Sequence, residues 1–123
     1  MPLILVMAGG ALGAGARHLV GRAMLAALGP GFPWWTLSIN IAGGLLMGLL
    51  AGVLLRHHLG EGWRLFLGVG VLGGFTTFSS FSLEAVTLAQ RGALIDAAGY
   101  VAASVVGSVA ALMLGLAATR VVA

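Results

Sequence analysis

The sequence predicts an all-α membrane protein whose four transmembrane helices form a single domain, residues 1–123. Hydrophobic residues make up 60% of the chain and there are 21 glycines, whereas soluble domains are usually about 45–50% apolar. The charged residues are six arginines and three acids, too few to cover a soluble surface. Those arginines are dispersed, which argues against a nucleic-acid partner. Cysteine is absent, which excludes disulfides and thiol catalysis.

The first helix is predicted over about residues 3–28. A bilayer core about 30 Å thick needs about 20 mainly apolar residues per helix. This stretch is long enough, although Arg17 and Arg22 interrupt its second half, and it is too long for a cleaved signal peptide. Two interpretations of Arg17 remain open. It could reach the membrane surface or meet Glu84, or it could give positive potential to a water-filled vestibule.

The second helix is predicted over about residues 33–55, after a turn rich in glycine and proline. Pro33 suits the first turn of a helix because the missing N–H is not needed there. Asn40 is an isolated amide near the start of this helix. An interhelical hydrogen bond and a role in a pore are equally compatible with such a residue.

The third helix is predicted over about residues 63–90 and contains the most polar stretch of the chain. A glycine pair, Gly73-Gly74, is followed at residues 76–82 by five hydroxyl residues among seven. The stretch lies near the middle of a helix that would be about 42 Å long. Glycines weaken a helix, and hydroxyl groups satisfy freed backbone groups, so we predict a break near the bilayer midplane. The alternative is a continuous helix whose Ser and Thr side chains bond back to the preceding turn.

The fourth helix is predicted over about residues 95–120. Tyr100, Ser104 and Ser108 are spaced at i, i+4 and i+8, which places them in a row about 12 Å long on one face. Singly, each is an ordinary packing residue. As a row, they could pass along an ion that seeks hydrogen bonds.

The charges give the chain almost no preferred orientation in the membrane. Three arginines lie toward each side, so the positive-inside rule is balanced. Insertion in both orientations would favour a dimer of two antiparallel copies, although a single orientation remains the alternative. Small residues at four-residue spacing predict close helix contacts. These are Gly9 and Gly13; Gly44, Gly48 and Gly52; Gly70 and Gly74; and Gly99, Ala103, Gly107, Ala111 and Gly115.

Motifs of known enzymes are missing from this sequence. It has no phosphate-binding loop, no nucleophile elbow and no helical zinc-binding His pair. His57-His58 lacks the spacing of a metal site, which favours a solvated loop. We therefore expect a protein that is not an enzyme.

Three segments resemble the Fluc-type (CrcB family) fluoride channels. Residues 73–81, GGFTTFSSF, resemble the third-helix signature GGxTTFSTF, and residues 36–43, TLSINIAG, are similar to TLxVNxxG. Residues 9–14 followed by Arg17 resemble the first-helix pattern. The resemblance extends over all four predicted helices. It departs at Ser80, where threonine is commoner, and at His18, where an aromatic residue is usual.

The resemblance implies a dual-topology homodimer with two antiparallel fluoride pores and a structural Na⁺ at the dimer axis. Backbone carbonyls of Gly73 and Thr76 from both chains would bind the sodium. Phe78 and Phe81 would be the pore phenylalanines, and the amide of Asn40 would face the ion. The polar track would comprise Ser79, Ser80, Tyr100, Ser104 and Ser108, with Arg17 near the floor of the vestibule.

The expected function is a fluoride-selective channel that exports fluoride passively across the cytoplasmic (inner) membrane. Fluoride is strongly hydrated, so a narrow path needs donors that replace water, and phenyl rings have electropositive edges. One alternative is a proton-coupled small multidrug antiporter of the four-helix dual-topology type. It is disfavoured because Glu84 is the only acid well inside a predicted helix. A non-transporting membrane assembly subunit is another alternative, but it leaves the hydroxyl cluster unexplained.

Overall fold

The computed structural model describes residues 2–57 and 59–122, and every regular element in those ranges is helical. Four spans are long and apolar enough to cross a membrane, which confirms the all-α class and the predicted number of spans. The helices are α1 (Pro2–Leu28), α2 (Trp34–His57), α3 (residues 61–75), α4 (Ser79–Gln90) and α5 (Leu94–Val122). The third span consists of α3 and α4.

Helix α2 starts one residue after the predicted start and ends two residues after the predicted end. Pro33 lies just before the helix, and its carbonyl accepts the Leu37 N–H at 3.2 Å. At the other end Arg56 and His57 extend the last turn. Basic side chains are favourable at a helix C-terminus because they face its negative dipole end.

The α1–α2 turn and the α4–α5 turn lie at the same end of the helical bundle. Gly29 and Gly92 have φ angles of 78° and 82°, a left-handed conformation that glycine adopts without steric cost. They follow α1 and α4, where such a residue typically ends a helix. The Arg91 guanidinium donates to the Gly31 carbonyl at 3.0 Å. This bond joins the α1–α2 turn to the α4–α5 turn, as alternating spans require.

The glycine stripes mark two close helix seams, α1 against α3 and α2 against α5. A Cβ on Gly13 would overlap the Val71 carbonyl oxygen of α3. A Cβ on Gly115 would lie 2.5 Å from the Leu45 carbonyl oxygen of α2. Small residues therefore let these backbones approach each other. Gly99 is an exception, because a Cβ there would meet no atom within 4 Å among the described residues.

Helix α3 contains a feature that the sequence analysis did not predict. Its nine residues Arg64–Leu72 form a π-helix, in which each N–H bonds five residues back rather than four. Hydropathy and glycine spacing do not distinguish these two patterns in a continuously apolar stretch. The segment packs on α1, and the α-helical turn Gly73–Phe75 follows it.

Candidate functional site

The third span is interrupted between Phe75 and Ser79. Thr76 is extended, with φ −81° and ψ 159°, and its N–H and Oγ1 both donate to the Leu72 carbonyl, at 3.0 and 3.1 Å. The Thr77 Oγ1 accepts the Ser80 N–H at 3.2 Å, one of the N–H groups of the first helical turn that have no intrahelical partner. The threonines therefore satisfy backbone groups at both helix ends. The Ser82 Oγ instead bonds back to the Phe78 carbonyl at 2.9 Å.

Asn40 reaches from α2 to the interruption and forms two hydrogen bonds with one residue. Its Nδ2 donates to the Thr77 carbonyl at 3.0 Å, and its Oδ1 accepts the Thr77 N–H at 3.0 Å. This is an interhelical hydrogen-bond pair, one of the two roles that the sequence left open. A side-chain amide has two N–H donors, so the second remains available to another acceptor.

Arg17 reaches from α1 to the same interruption. Its Nε donates to the Gly74 carbonyl at 3.2 Å, where the last carbonyls of a helix lack intrahelical partners and attract a cation. Among the described residues, the suggested ion pair with Glu84 is not formed. The Glu84 carboxylate accepts the Tyr100 hydroxyl at 3.2 Å instead. Arg17 is thus held at the end of α3.

A groove of about 460 Å³ lies between α2, α5 and the interruption. It brings together six of the predicted site residues: Asn40, Thr76, Phe78, Phe81, Ser104 and Ser108. Ser104 is only 5% exposed, and its Oγ has no hydrogen-bond partner among residues 2–57 and 59–120. A buried hydroxyl usually has a partner. Ser104 therefore gives the lining of the groove a buried hydroxyl whose hydrogen-bonding capacity is not used within those residues.

Aromatic rings form a continuous row beside this groove. The ring centroids of Phe78 and Phe81 are 5.6 Å apart, and those of Phe81 and Tyr100 are 5.2 Å apart. Phe32 meets the Tyr100 ring edge-on at 5.5 Å. Phe81 is 9% exposed whereas Phe78 is 78% exposed. The row therefore runs from the buried interior of the helical bundle, at Tyr100, to its exposed surface, at Phe78.

A second cavity, of about 310 Å³, lies on the other side of the interruption. It contains the predicted residues Arg17 and Ser80, and also Glu84 and the basic side chains His18 and Arg22. Its positive side chains outnumber its one acid, so its potential favours anions. Thr77 lines both this cavity and the groove, and therefore forms part of the wall between them.

Three predicted residues line neither cavity. Ser79 and Gly73 are exposed, and Tyr100 is fully buried. Thr36, a 2% exposed residue whose hydroxyl-bearing side chain belongs to the second cavity, was not among the predicted site residues. The pattern that could have indicated Thr36 is its position one helical turn before Asn40. The pairing of Asn40 with Thr77 was not predicted either.

Backbone oxygens are the available cation ligands at the interruption. The carbonyls of Gly74 and Thr77 are occupied by Arg17 and Asn40. No hydrogen bond to the Gly73 or Thr76 carbonyl occurs in the described part of the chain. That same part contains no group of three His, Cys, Asp or Glu side chains that could hold a metal. Free carbonyls at an unwound helix are suitable ligands for Na⁺.

Four apolar spans, with a surface-open groove whose mainly apolar lining includes the side chains of Asn40, Thr76, Thr77, Ser104 and Ser108, define a small multi-pass membrane protein. Residues 4–116 match the family described as CrcB-like protein, Camphor Resistance (CrcB). The chain belongs to this family.

Curated relatives match almost the whole chain. A protein of Sphingopyxis alaskensis is 64% identical over 112 residues, which cover 90% of this chain and 89% of the relative. One from Novosphingobium aromaticivorans is 56% identical over 120 residues, 96% of this chain and 95% of the relative. One from Mesorhizobium japonicum is 50% identical over 114 residues, 93% and 92% of the two chains. Each of the three is named fluoride-specific ion channel FluC.

Proposed function

We propose that this protein is a fluoride-selective channel of the cytoplasmic membrane that lets fluoride leave the cell passively. The relatives that this chain matches over about nine-tenths of their length are named fluoride-specific ion channel FluC. The structural observation that carries the proposal is the groove, whose lining includes both the unpaired Ser104 hydroxyl and the ring of Phe81. Hydrogen-bond donors and ring edges attract a small anion, and neither demands a proton or a cofactor.

The chemistry of the two cavities suits successive stages of anion transfer. Arg17 and Arg22, against the single carboxylate of Glu84, give the second cavity the positive potential that concentrates anions. Beyond Thr77, the groove offers the free N–H of Asn40 and the hydroxyls of Ser104 and Ser108. These donors replace the hydration shell of fluoride. The electropositive edges of Phe78 and Phe81 contribute to the same replacement.

A second copy in the opposite orientation completes the pore. The groove is open to the surface and Phe78 is 78% exposed, so another chain is needed to separate this path from lipid. The balanced distribution of arginines favours insertion in both orientations. The functional unit is therefore an antiparallel homodimer with two pores, and the break between Phe75 and Ser79 lies near the bilayer midplane.

The free carbonyls of Gly73 and Thr76 fit a structural sodium ion at the axis of this dimer. Two copies would supply four neutral oxygens, the type of ligand that hard cations prefer. When bound, the ion offsets the carbonyl dipoles that two interrupted helices bring together. The Arg17 guanidinium does not compete for these oxygens because it binds the Gly74 carbonyl.

Fluoride efflux from liposomes tests the proposed function. The purified protein is reconstituted, the liposomes are loaded with potassium fluoride, and valinomycin is added so that potassium compensates the charge. We expect a fluoride electrode to record rapid efflux, while protein-free liposomes retain fluoride and chloride-loaded proteoliposomes retain chloride. Absence of fluoride efflux would contradict the proposal. Efflux that follows an imposed proton gradient would contradict a passive pore.

Replacing Ser104 by alanine tests the role of the unpaired hydroxyl. The change removes one hydrogen bond to a charged ion, worth about 1.5 kcal/mol or more, so we expect roughly a tenfold slower fluoride efflux. The matched control is Ser38→Ala, which removes a hydroxyl from α2 at a position that lines neither cavity. Equal efflux from Ser104→Ala and the unaltered protein would remove this hydroxyl from the path.

A further inference from the structure

We infer that Asn40 is a positioning residue for the cation at the helix interruption: its double hydrogen bond to Thr77 leaves the Gly73 carbonyl unpaired and orients that of Thr76. This inference rests on the proposed function, because the cation is the sodium ion proposed above. It gives Asn40 a second role, distinct from its contact with fluoride in the groove.

The first effect of Asn40 is on the Gly73 carbonyl. If the helix continued past Phe75, the Thr77 N–H would donate to the carbonyl four residues back, which is that of Gly73. In the structure this N–H donates to the Asn40 Oδ1 at 3.0 Å instead. The amide therefore takes up the donor that would otherwise consume the Gly73 oxygen.

The second effect is on the direction of the Thr76 carbonyl. The bond between Thr76 and Thr77 is trans, since the described chain contains no cis peptide. In a planar trans peptide the C=O and the next N–H point in opposite directions. Because the Thr77 N–H points at Asn40, the Thr76 C=O points away from it. The Asn40 Nδ2 also holds the Thr77 carbonyl at 3.0 Å, which fixes both sides of Thr77.

Neighbouring contacts act in the same direction. Arg17 occupies the Gly74 carbonyl from α1, and the Thr76 side chain is tied to Leu72. A Cβ on Gly43 would overlap the Thr76 Cγ2, so the glycine makes room for this side chain one helical turn from Asn40. The extended conformation of Thr76 is thus held from α1, α2 and its own helix.

Sodium-dependent thermal unfolding of the purified dimer in detergent tests this inference. Sodium chloride replaces N-methyl-D-glucamine chloride stepwise at constant ionic strength, and the midpoint temperature of unfolding is measured at each sodium concentration. A ligand that binds only the folded state raises this midpoint with its concentration. Asn40→Leu removes both bonds at similar volume. Loss of a residue that orients metal ligands typically lowers metal affinity about 10–100-fold. We therefore expect Asn40→Leu to need a sodium concentration at least about tenfold higher for the same rise in the unfolding midpoint.

Two further variants separate positioning from general stability. Asn40→Asp keeps the acceptor for the Thr77 N–H but loses the donor to the Thr77 carbonyl, so it should need less additional sodium than Asn40→Leu, although its negative charge blocks fluoride efflux. Ser104→Ala should keep the full sodium response while its efflux falls. If Asn40→Leu does not yield folded protein, Asn40→Ser, which is too short to reach Thr77, takes its place with the same expectation.

The outcomes distinguish this inference from the proposed function. If Asn40→Leu, or Asn40→Ser in its place, responds to the same sodium concentration as the unaltered protein, the inference is overturned. Fluoride efflux by the unaltered protein would still support the proposed function. An unaltered protein without any sodium response would also overturn it. An unaltered protein that binds sodium through Asn40 but passes no fluoride would overturn the proposed function alone.

Discussion

Replacing Phe81 by isoleucine is expected to reduce fluoride efflux at least about a hundredfold while the protein stays folded, a barrier increase of about 3 kcal/mol. The Phe81 ring is 9% exposed and lies between the rings of Phe78 and Tyr100, in the wall of the groove. Isoleucine retains apolar bulk but has no electropositive ring edge. Efflux from liposomes and the elution volume of the purified protein are the two measurements.

Phe66→Ile is the matched control for this change. Phe66 lies on α3 in the same span, and its side chain lines an apolar pocket with Leu5 and Trp63, away from the groove. We expect its efflux to equal that of the unaltered protein. Equal loss in both variants would indicate a general effect of removing a ring, and unchanged efflux in Phe81→Ile would place fluoride elsewhere.

Replacing Gly115 by valine is expected to prevent formation of the folded protein. A Cβ at this position would lie 2.5 Å from the Leu45 carbonyl oxygen and 2.6 Å from the Leu49 nitrogen. Both atoms belong to the α2 backbone, so the helices would have to separate along their seam. Overpacking a close contact typically costs about 1–3 kcal/mol, and more when backbone must move. The yield of monodisperse protein in detergent measures this effect.

Gly99→Val is the control in the same helix. A Cβ at Gly99 would meet no atom within 4 Å among the described residues, and the intrinsic helix propensity changes by the same amount at both positions. We expect normal yield from this variant. If Gly115→Val also gave normal yield, the seam between α2 and α5 would be less tight than the structure indicates.

Periodic features of the fold were predictable from the sequence. Hydropathy gave four spans because each must exceed the bilayer thickness, and the structure has four. Four-residue spacing of small residues located the seams, since residues four apart lie on one helix face. Gly99 continues the spacing without joining the seam, because spacing alone does not show how far the neighbouring helix extends.

Long-range pairings were not predictable in the same way. Asn40 and Thr77 are 37 residues apart, and Arg17 and Gly74 are 57 residues apart. The sequence indicated that these polar groups are costly in a membrane and need partners, but the choice among partners depends on how four helices are rotated. One partner that the sequence suggested for Arg17 was therefore Glu84. In the structure Glu84 accepts a hydrogen bond from Tyr100, and Arg17 donates to the backbone carbonyl of Gly74.

The site was predictable as a set of residues rather than as an arrangement. Six of the predicted residues line one groove, while Arg17 and Ser80 line a separate cavity. Helical spacing places Tyr100, Ser104 and Ser108 on one face, yet Tyr100 is enclosed by Phe32 and Phe81 and does not line the groove. Which members of a polar row reach a cavity is set by the large side chains of other helices.

Passive fluoride selectivity is best tested by the reversal potential of the current that the protein carries across a planar bilayer. The two chambers hold different fluoride concentrations, equal chloride and, in a second series, different pH. We expect a current that reverses at the equilibrium potential of fluoride and does not shift when the pH gradient is imposed. A reversal potential that follows the proton gradient, or one set by chloride, would contradict it.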